Sequence, residues 1–243
     1  MRTDTPTVVT SPAALTVRTL RCCGVSVGVG SLLRCDVRCD KEISDVATSV
    51  GARSQGRLDA LLHAVAFAPA EALRSGSLLS TSREAWTTTL DVSAYSLLSL
   101  TRALHPLLQT AASNTKGGDG RVHYGPSITS LSYVGARKTV PGYLVMGPAK
   151  AALEATARGL AAELGPEGIR VNVISAGPVR TVAAKSIPGF STMTQSVEEH
   201  APLRRNISAA DVAGLATFLA SDAASAITGQ TMHVDAGHSA VWV

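Results

Sequence analysis

Short apolar runs and longer amphipathic stretches alternate along this chain. Residues 58–67 form a continuous apolar run, which predicts a strand buried on both faces. Residues 91–108 carry leucines at helical spacing and predict a long helix, which Pro106 should kink or end. Residues 113–126 are rich in glycine and polar side chains, and they predict a surface loop.

The second half of the chain continues this alternation. Further strands are predicted at residues 127–133, 168–177 and 230–235, and helices at 146–164 and, from a capping box at 208–211, to about 221. Residues 179–196 lack a clear periodicity and predict a mobile lid over a site. This order of elements predicts an α/β fold with a doubly wound parallel sheet. Ligands of such sheets bind beyond the carboxyl ends of the strands, where Ala66, Tyr133 and Ala176 are expected to meet.

Composition and charge narrow the class of protein. Apolar residues make up 45% of the 243 residues, which is enough for one domain with a substantial core and too many for a disordered chain. The net charge is +4, and no basic arm with interleaved aromatic residues is present, which argues against a nucleic-acid partner. No apolar run reaches the ~18 residues of a membrane span, so we expect a soluble protein.

Cysteines and histidines give no sign of a metal site. Cys22, Cys23, Cys35 and Cys39 are spaced poorly for zinc, and we expect reduced thiols in an intracellular protein. The six histidines are scattered and are predicted to be structural: His63, His105, His123, His200, His233 and His238.

Tyr143 and Lys150 are the candidate catalytic residues of the sequence. Tyr143 and Lys150 are seven residues apart, almost two turns of a helix, so a helix through both would place them on one face. A phenol near a fixed cation can donate a hydrogen bond to an oxygen that gains negative charge during a reaction. The same cation can hold the hydroxyls of a ribose. The pair indicates nucleotide-dependent redox chemistry on a carbonyl compound.

Several segments together resemble a known family. The chain from about residue 31 to its end is similar to the bacterial and plastid type NADH-dependent enoyl-[acyl-carrier-protein] reductases of the short-chain dehydrogenase/reductase superfamily. Ordinary members of that superfamily have Tyr-x3-Lys, whereas this branch has the Tyr-x6-Lys of Tyr143 and Lys150. The resemblance is carried by residues 35–37, 63–69, 91–96, 131–135, 143–150, 175–181, 201–205 and 233–237.

The resemblance implies a Rossmann-like fold and the reduction of trans-2-enoyl thioesters on acyl-carrier protein by NADH in fatty-acid biosynthesis, with NADPH not excluded. It implies a homo-oligomer, a tetramer in the family. Tyr143 would hydrogen-bond the enolate, Lys150 would hold the nicotinamide ribose, and Tyr133 would be a second active-site tyrosine. The implied cofactor-binding residues are Asp36, Val37, Val65, Lys150, Val179, Arg180, Thr181, Val182 and Ala183, and the implied substrate-binding residues are Ala68, Tyr133 and Met146. Asp36 could instead cap the following helix.

The start of the chain departs from the family. A βαβ unit needs ~30 residues or more, and Cys35 already belongs to the segment that follows the family's first unit. Gly24, Gly28 and Gly30 have the spacing of a phosphate loop, but the next strand follows Gly30 directly and leaves no room for the helix that such a loop opens. We therefore expect a sheet that is incomplete at the N-terminus.

The sequence predicts two segments. Residues 1–30 are predicted to be a divergent leader, disordered or transit-like or from a misjoined gene, and residues 31–243 a single reductase domain. The compartment is expected to be bacterial cytoplasm, or a plastid if the leader is a transit segment.

Alanine replaces a family glycine at two further positions, Ala66 and Ala236, where an added methyl could obstruct the cofactor. Two alternatives stay open: an inactive relative that serves as a partner subunit, and a reductase of another carbonyl compound.

Overall fold

The computed structural model describes residues 5–11, 14–20, 32–74, 76–113, 125–181, 184 and 187–242. Its strands are β1 Thr5–Ser11, β2 Ala14–Leu20, β3 Leu32–Leu33, β4 Ala60–His63, β5 Ser127–Ser132, β6 Arg170–Ala176 and β7 Thr231–Val234. Its α-helices are α1 Asp40–Arg53, α2 Ala70–Arg74, α3 Arg83–Leu90, α4 Ser96–Ser113, α5 Met146–Leu164, α6 Phe190–His200 and α7 Ala209–Ala220. None of the helices in these ranges is long and apolar enough to cross a membrane.

The described strands form one sheet in the order β3-β2-β1-β4-β5-β6-β7. β4, β5, β6 and β7 run parallel to one another, as the alternation of strands and helices from residue 58 predicted, and β1 is also parallel to β4. The predicted parallel sheet carries one antiparallel strand from the segment before residue 31, because β2 is antiparallel to both β1 and β3. Only residues 12 and 13 separate β1 from β2, and a parallel return needs a crossover of about a dozen residues or more.

The segment expected to be a divergent leader therefore contributes two strands to the sheet. The register pairs Val8 with Leu61 in parallel and with Val17 in antiparallel, so β1 and β2 extend the sheet from β4. The glycine run at residues 24–30 lies outside the described residues, and so do Cys22 and Cys23. The expected lack of room for a helix between Gly30 and the next strand stays a prediction, because residues 21–31 lie outside the described residues.

Helices cover both faces of the sheet. On one face, α1, α4 and α5 pack a core that includes the fully buried Val50, Leu100, Leu104 and Leu153. On the other face, α7 buries Leu219 against Ile174 of β6. Successive β6 residues alternate between these cores, Val173 to the first and Ile174 to the second. This alternation is the period-2 pattern of a strand buried on both sides, and it confirms the doubly wound class.

Four predictions about helical segments are confirmed or corrected. α5 has the predicted bounds, and Ser208 caps α7 through a capping box with Asp211. Pro106 does not end α4, which continues to Ser113 because the buried Leu104 and Leu108 hold the helix on the core on both sides of the proline. The predicted irregular segment 179–196 is helical from Phe190 onward, where α6 buries Thr194 and Val197.

Ala236 has a backbone φ of +58°, in the left-handed region where a Cβ is costly. Asp235 holds this turn, because its carboxylate accepts from the backbone N–H groups of Gly237 and Ser239. Ala236→Gly is therefore expected to raise the free energy of unfolding by about 0.5–1 kcal/mol, measured by urea denaturation. The control is Ala155→Gly on the exposed face of α5, which is expected to lower it by about 1 kcal/mol. A lower free energy of unfolding in Ala236→Gly would contradict the inference that the positive φ of Ala236 strains the backbone.

Candidate active site

The carboxyl ends of β4, β5 and β6 lie along one edge of the sheet because these strands are parallel. Val65 to Ala68 follow β4, Tyr133 follows β5, and Val179 to Thr181 follow β6. The edge that the sequence predicted for ligand binding thus gathers these three segments.

Tyr143 reaches this edge from a turn, not from a helix as predicted. α5 begins at Met146, and Gly142 and Leu144 on either side of Tyr143 have positive φ, +78° and +41°. Turn hydrogen bonds close around it, from Tyr143 N–H to the Val140 carbonyl and from Met146 N–H to the Tyr143 carbonyl. Helical periodicity therefore does not set the relative placement of Tyr143 and Lys150.

Tyr143 and Tyr133 form an aromatic pair. Their ring centroids are 4.9 Å apart and their planes meet at 63°, an edge-to-face contact. Tyr143 is 6% exposed, and burial, with a smaller effect of Tyr133, raises its pKa above the ordinary value. Burial also raises the pKa of Tyr133. Both phenols are therefore protonated at neutral pH and can donate hydrogen bonds.

Lys150 lies on α5 one turn after Met146 and is only 5% exposed. Its ammonium donates to the carbonyl of Leu131, at 2.7 Å, two residues before Tyr133 on β5. Burial lowers the pKa of Lys150 to about 8, while the nearby Glu154 opposes that fall. A pKa of about 8 leaves the side chain charged at neutral pH, as a cation that serves a ribose or a developing negative charge must be.

The other predicted substrate-binding residues, Ala68 and Met146, pack against the two tyrosines. Tyr143 and Met146 pack in one apolar cluster with Ala66, Ala68 and Tyr133. Ala66 therefore lies beside the tyrosines, at the position where the family has glycine.

The predicted cofactor-binding residues are only partly described. Val37 and Val65 are buried in the main core, so only their backbone groups can face a ligand. Val179 packs beside Val197 and Ile207, and Arg180 and Thr181 are exposed. The Thr181 hydroxyl accepts from the N–H of Ala184. Val182 and Ala183 lie outside the described residues.

Asp36 does not cap a helix. α1 begins after Cys39, and the Asp36 carboxylate is bound by the guanidinium of Arg38 at 2.6 Å. Hydrogen bonds from the Arg38 side chain and then from its backbone lower the pKa of Asp36 to about 2. An ionised carboxylate at this edge of the sheet retains the chemistry expected of an adenine contact.

A buried histidine network lies beneath the site, and sequence reasoning treated its histidine only as structural. His63 at the end of β4 is fully buried, with Nδ1 2.8 Å from the Ser130 hydroxyl and Nε2 2.8 Å from the Ser96 hydroxyl. Burial, and then the charge of Lys150, lowers the pKa of His63 to about 3. The neutral ring thereby joins β4, β5 and the start of α4.

A π-helical turn at Asp91–Tyr95, which the sequence did not reveal, holds the loop after β4. The Ser93 hydroxyl accepts from the N–H of Phe67 and donates to its carbonyl, both at 2.9 Å. One hydroxyl thus fixes both backbone groups of the residue between Ala66 and Ala68. The serine-rich segment 93–99 was the only sequence signal for this contact.

Comparison with known proteins decides the family. A family model described as enoyl-(acyl carrier protein) reductase matches residues 18–239. The NADH-dependent enoyl-[acyl-carrier-protein] reductase FabI of Neisseria meningitidis serogroup B is 45% identical over 208 residues, 86% of this chain and 74% of that protein. The chain belongs to the enoyl-[acyl-carrier-protein] reductase family.

Two further relatives extend the comparison. The NADPH enzyme FabI of Staphylococcus aureus is 40% identical over 210 residues, which cover 86% of this chain and 76% of that protein. The crystal structure of the NADH enzyme from Aquifex aeolicus superposes with a TM-score of 0.76 at 42% identity, over 86% of this chain and 76% of that chain. The family and fold that the sequence motifs predicted are therefore confirmed.

The described residues fit a nicotinamide dinucleotide at one end. The Lys150 ammonium has three N–H donors, of which the Leu131 carbonyl takes one, so donors remain for ribose hydroxyls. The part of the site that would hold the pyrophosphate differs from that of other doubly wound sheets. Those sheets bind the pyrophosphate at the N-terminus of a helix that follows the first strand. Here β1 turns directly into β2 across two residues. Within the described ranges, no group of three or more His, Cys, Asp or Glu side chains is placed to hold a metal ion.

Gly135 lies against the ring of Tyr143 in this reductase fold. A Cβ at residue 135 would lie 2.4 Å from Cδ1 and 2.7 Å from Cε1 of that ring, so the ring would have to move. Gly135→Ala is expected to lower kcat at least tenfold, because a displacement of about 1 Å at a reacting group can cost a hundredfold. The control is Gly159→Ala on α5, where an added Cβ meets nothing within 4 Å and kcat should not change. Unchanged turnover in Gly135→Ala would contradict the placement of Tyr143.

Proposed function

We propose that this chain reduces trans-2-enoyl-[acyl-carrier-protein] thioesters to acyl thioesters with a nicotinamide dinucleotide, NADH in the first place, in fatty-acid biosynthesis. The observation that carries the proposal is the edge-to-face pair of Tyr133 and Tyr143 with the buried ammonium of Lys150 near Tyr133 on the same edge of the sheet. The printed names of the relatives, which include NADH and NADPH enzymes, support this cofactor class.

Tyr143 carries the central step. When bound, the dinucleotide supplies a hydride to the β-carbon of the enoyl group. Negative charge then develops on the thioester oxygen. The phenol of Tyr143 is protonated because burial raises its pKa, and it donates a hydrogen bond to that oxygen. Its apolar surroundings, Leu73, Met146 and Ile187 among them, exclude water and so strengthen this hydrogen bond.

Lys150 and Tyr133 complete the site. The ammonium of Lys150, charged at neutral pH, holds ribose hydroxyls and adds positive potential beside the developing charge. Tyr133 packs on Tyr143 and lines the acyl site. The backbone at Val37 and Val65 and the loop 179–183 are the proposed contacts to the rest of the dinucleotide.

A second copy of the chain is the proposed further partner. Trp86, Tyr95 and Leu98 leave apolar surface exposed along α3, the π-helical turn and α4. A homo-oligomer, tetrameric as the family resemblance implies, would cover this face. Sedimentation of the purified chain tests this: a single monomeric species at micromolar concentration would contradict it.

The connection from β1 to β2 favours a second candidate function. A chain without a helix after β1 could hold dinucleotide too weakly to turn over and could serve as an inactive partner subunit of an active relative.

Titration of the purified chain with NADH separates the two candidates. A ligand that binds only the folded state raises its stability by ~2.7 kcal/mol at 100 times its Kd. The reductase proposal predicts a saturable rise in Tm and consumption of NADH on addition of a trans-2-enoyl thioester. No rise at millimolar NADH would favour the inactive partner subunit instead.

A further inference from the structure

Glu154 is a buried carboxylate that has no part in the proposed steps of Tyr143, Lys150 and Tyr133. It lies on α5 and is 4% exposed. The Ser132 hydroxyl donates to its Oε1 at 2.8 Å, and the Arg137 guanidinium donates to its Oε2 at 3.2 Å. Burying a carboxylate is costly unless it is paired and hydrogen-bonded, so this residue is held by a specific set of contacts.

The two oxygens of Glu154 bind both ends of one short segment. Ser132 is the last residue of β5 and directly precedes Tyr133. Arg137 follows the 3-10 turn Val134–Ala136, whose Gly135 packs against the ring of Tyr143. Glu154 therefore fixes the segment that carries one active-site tyrosine and supports the other.

Glu154 also lies one helical turn after Lys150, on the same face of α5. Both side chains are buried, so the attraction between their charges is weakly screened. The other titratable group that interacts with Lys150 is His63 on β4, which is neutral because burial and the charge of Lys150 lower its pKa. Arg137 is the one cation bound to Glu154 in the described structure, and its side chain is 53% exposed. Among these groups, Glu154 supplies the negative charge that favours the charged form of Lys150.

We propose that Glu154 is a positioning residue of this reductase site, which keeps Lys150 charged and holds residues 133–137 against Tyr143. The inference rests on the proposed function, because it assigns Glu154 a task in that reaction. Sequence spacing carried a signal for it, since residue 154 stands four positions after Lys150 and shares its helical face.

The test is the titration of Lys150, followed by NMR of protein with 13C-labelled lysines, with the Lys150 signal assigned by Lys150→Arg. In Glu154→Gln the side chain keeps its size and its acceptor for Ser132 but loses its charge. The pKa of Lys150 is expected to fall by about one pH unit or more, because a neighbouring opposite charge shifts a pKa by about 1–3. The alkaline limb of kcat is expected to move to lower pH by the same amount, and Glu154→Asp to restore most of it.

Glu163→Gln is the matched control, because Glu163 is an exposed carboxylate on the same helix. The Lys150 titration should not change in this variant. An unchanged Lys150 titration in folded Glu154→Gln would overturn the proposal.

Arg137→Met keeps the proposal testable if Glu154→Gln does not fold. Removal of the exposed cation leaves the charge of Glu154 uncompensated, so the pKa of Lys150 is expected to rise. A fall or no change would overturn the proposal. The NMR readout needs no turnover, so a chain that fails to reduce an enoyl thioester would refute the proposed function while the role of Glu154 is still decided.

Discussion

Tyr143→Phe is expected to lower kcat by about 10²–10³-fold and to leave the fold intact. The change removes one phenolic O–H from a ring that is otherwise held by packing against Tyr133 and Gly135. In other enzymes, removal of one hydrogen-bond donor to a developing oxyanion lowers kcat by about 10²–10³-fold. The measurement is consumption of NADH with a saturating trans-2-enoyl thioester, with Tm recorded on the same preparation.

Tyr95→Phe is the matched control for this substitution. Tyr95 is 40% exposed, and its hydroxyl contacts only Arg102 among the described residues, at 3.3 Å. Its loss should change kcat less than about twofold. A Tyr143→Phe variant with wild-type turnover would show that another group stabilises the thioester oxygen, and the assigned mechanism would be wrong.

Acidification is expected to destabilise the fold through His63. Its pKa of about 3 in the folded chain is below its ordinary 6.5, so the unfolded chain binds the extra proton between these two values. The contribution of His63 is therefore fully present above pH 6.5 and is lost as pH falls from 6.5 to 3. Between pH 7 and pH 5 this histidine alone should remove about 2 kcal/mol from the free energy of unfolding.

Urea denaturation of the wild type and of His63→Gln at pH 7 and pH 5 isolates this effect. The variant should be less stable at pH 7, because it loses the hydrogen bonds to Ser96 and Ser130, but it should lose about 2 kcal/mol less between the two pH values. His200→Gln, at an exposed surface histidine, is the control and should keep the wild-type pH dependence. Equal pH dependence in His63→Gln would contradict a buried neutral ring.

Short sequence patterns predicted those elements whose signals lie within the element itself or beside it. The bounds of α5 follow from its helical periodicity, and the start of α7 follows from the capping box of Ser208 and Asp211. Both signals lie within a few residues of the feature they determine. β5 begins at the predicted residue 127, and its two apolar residues face opposite cores, Ile128 the first and Leu131 the second.

Contacts between distant segments could not be predicted in this way. Tyr143 departs from the helix because Gly142 and Leu144 adopt positive φ, and Leu144 gives no sequence sign of it. The contact of Ser93 with Phe67 spans 26 residues, and that of His63 with Ser130 spans 67. The candidate site residues were named from the family resemblance, which supplies long-range information that propensity and spacing lack.

The structure of the N-terminal segment also could not be predicted from local sequence. Its composition, rich in threonine, serine and arginine, suggested a leader. Backbone pairing of β1 with β4 nevertheless places residues 5–11 in the sheet. A β-branched run such as 7–10 is compatible with a strand, and composition alone cannot decide between these states.

The most direct test of the proposed reaction follows the hydride itself. The chain is incubated with a trans-2-enoyl-[acyl-carrier-protein] thioester and NADH that carries deuterium at both transferable positions of the nicotinamide ring, and the product is analysed by mass spectrometry. The wild type is expected to form a saturated acyl thioester with one deuterium at its β-carbon and a solvent proton at its α-carbon, and Tyr143→Phe to form it about 10²–10³-fold more slowly. No saturated product, or deuterium at the carbonyl carbon, would contradict the proposed reaction.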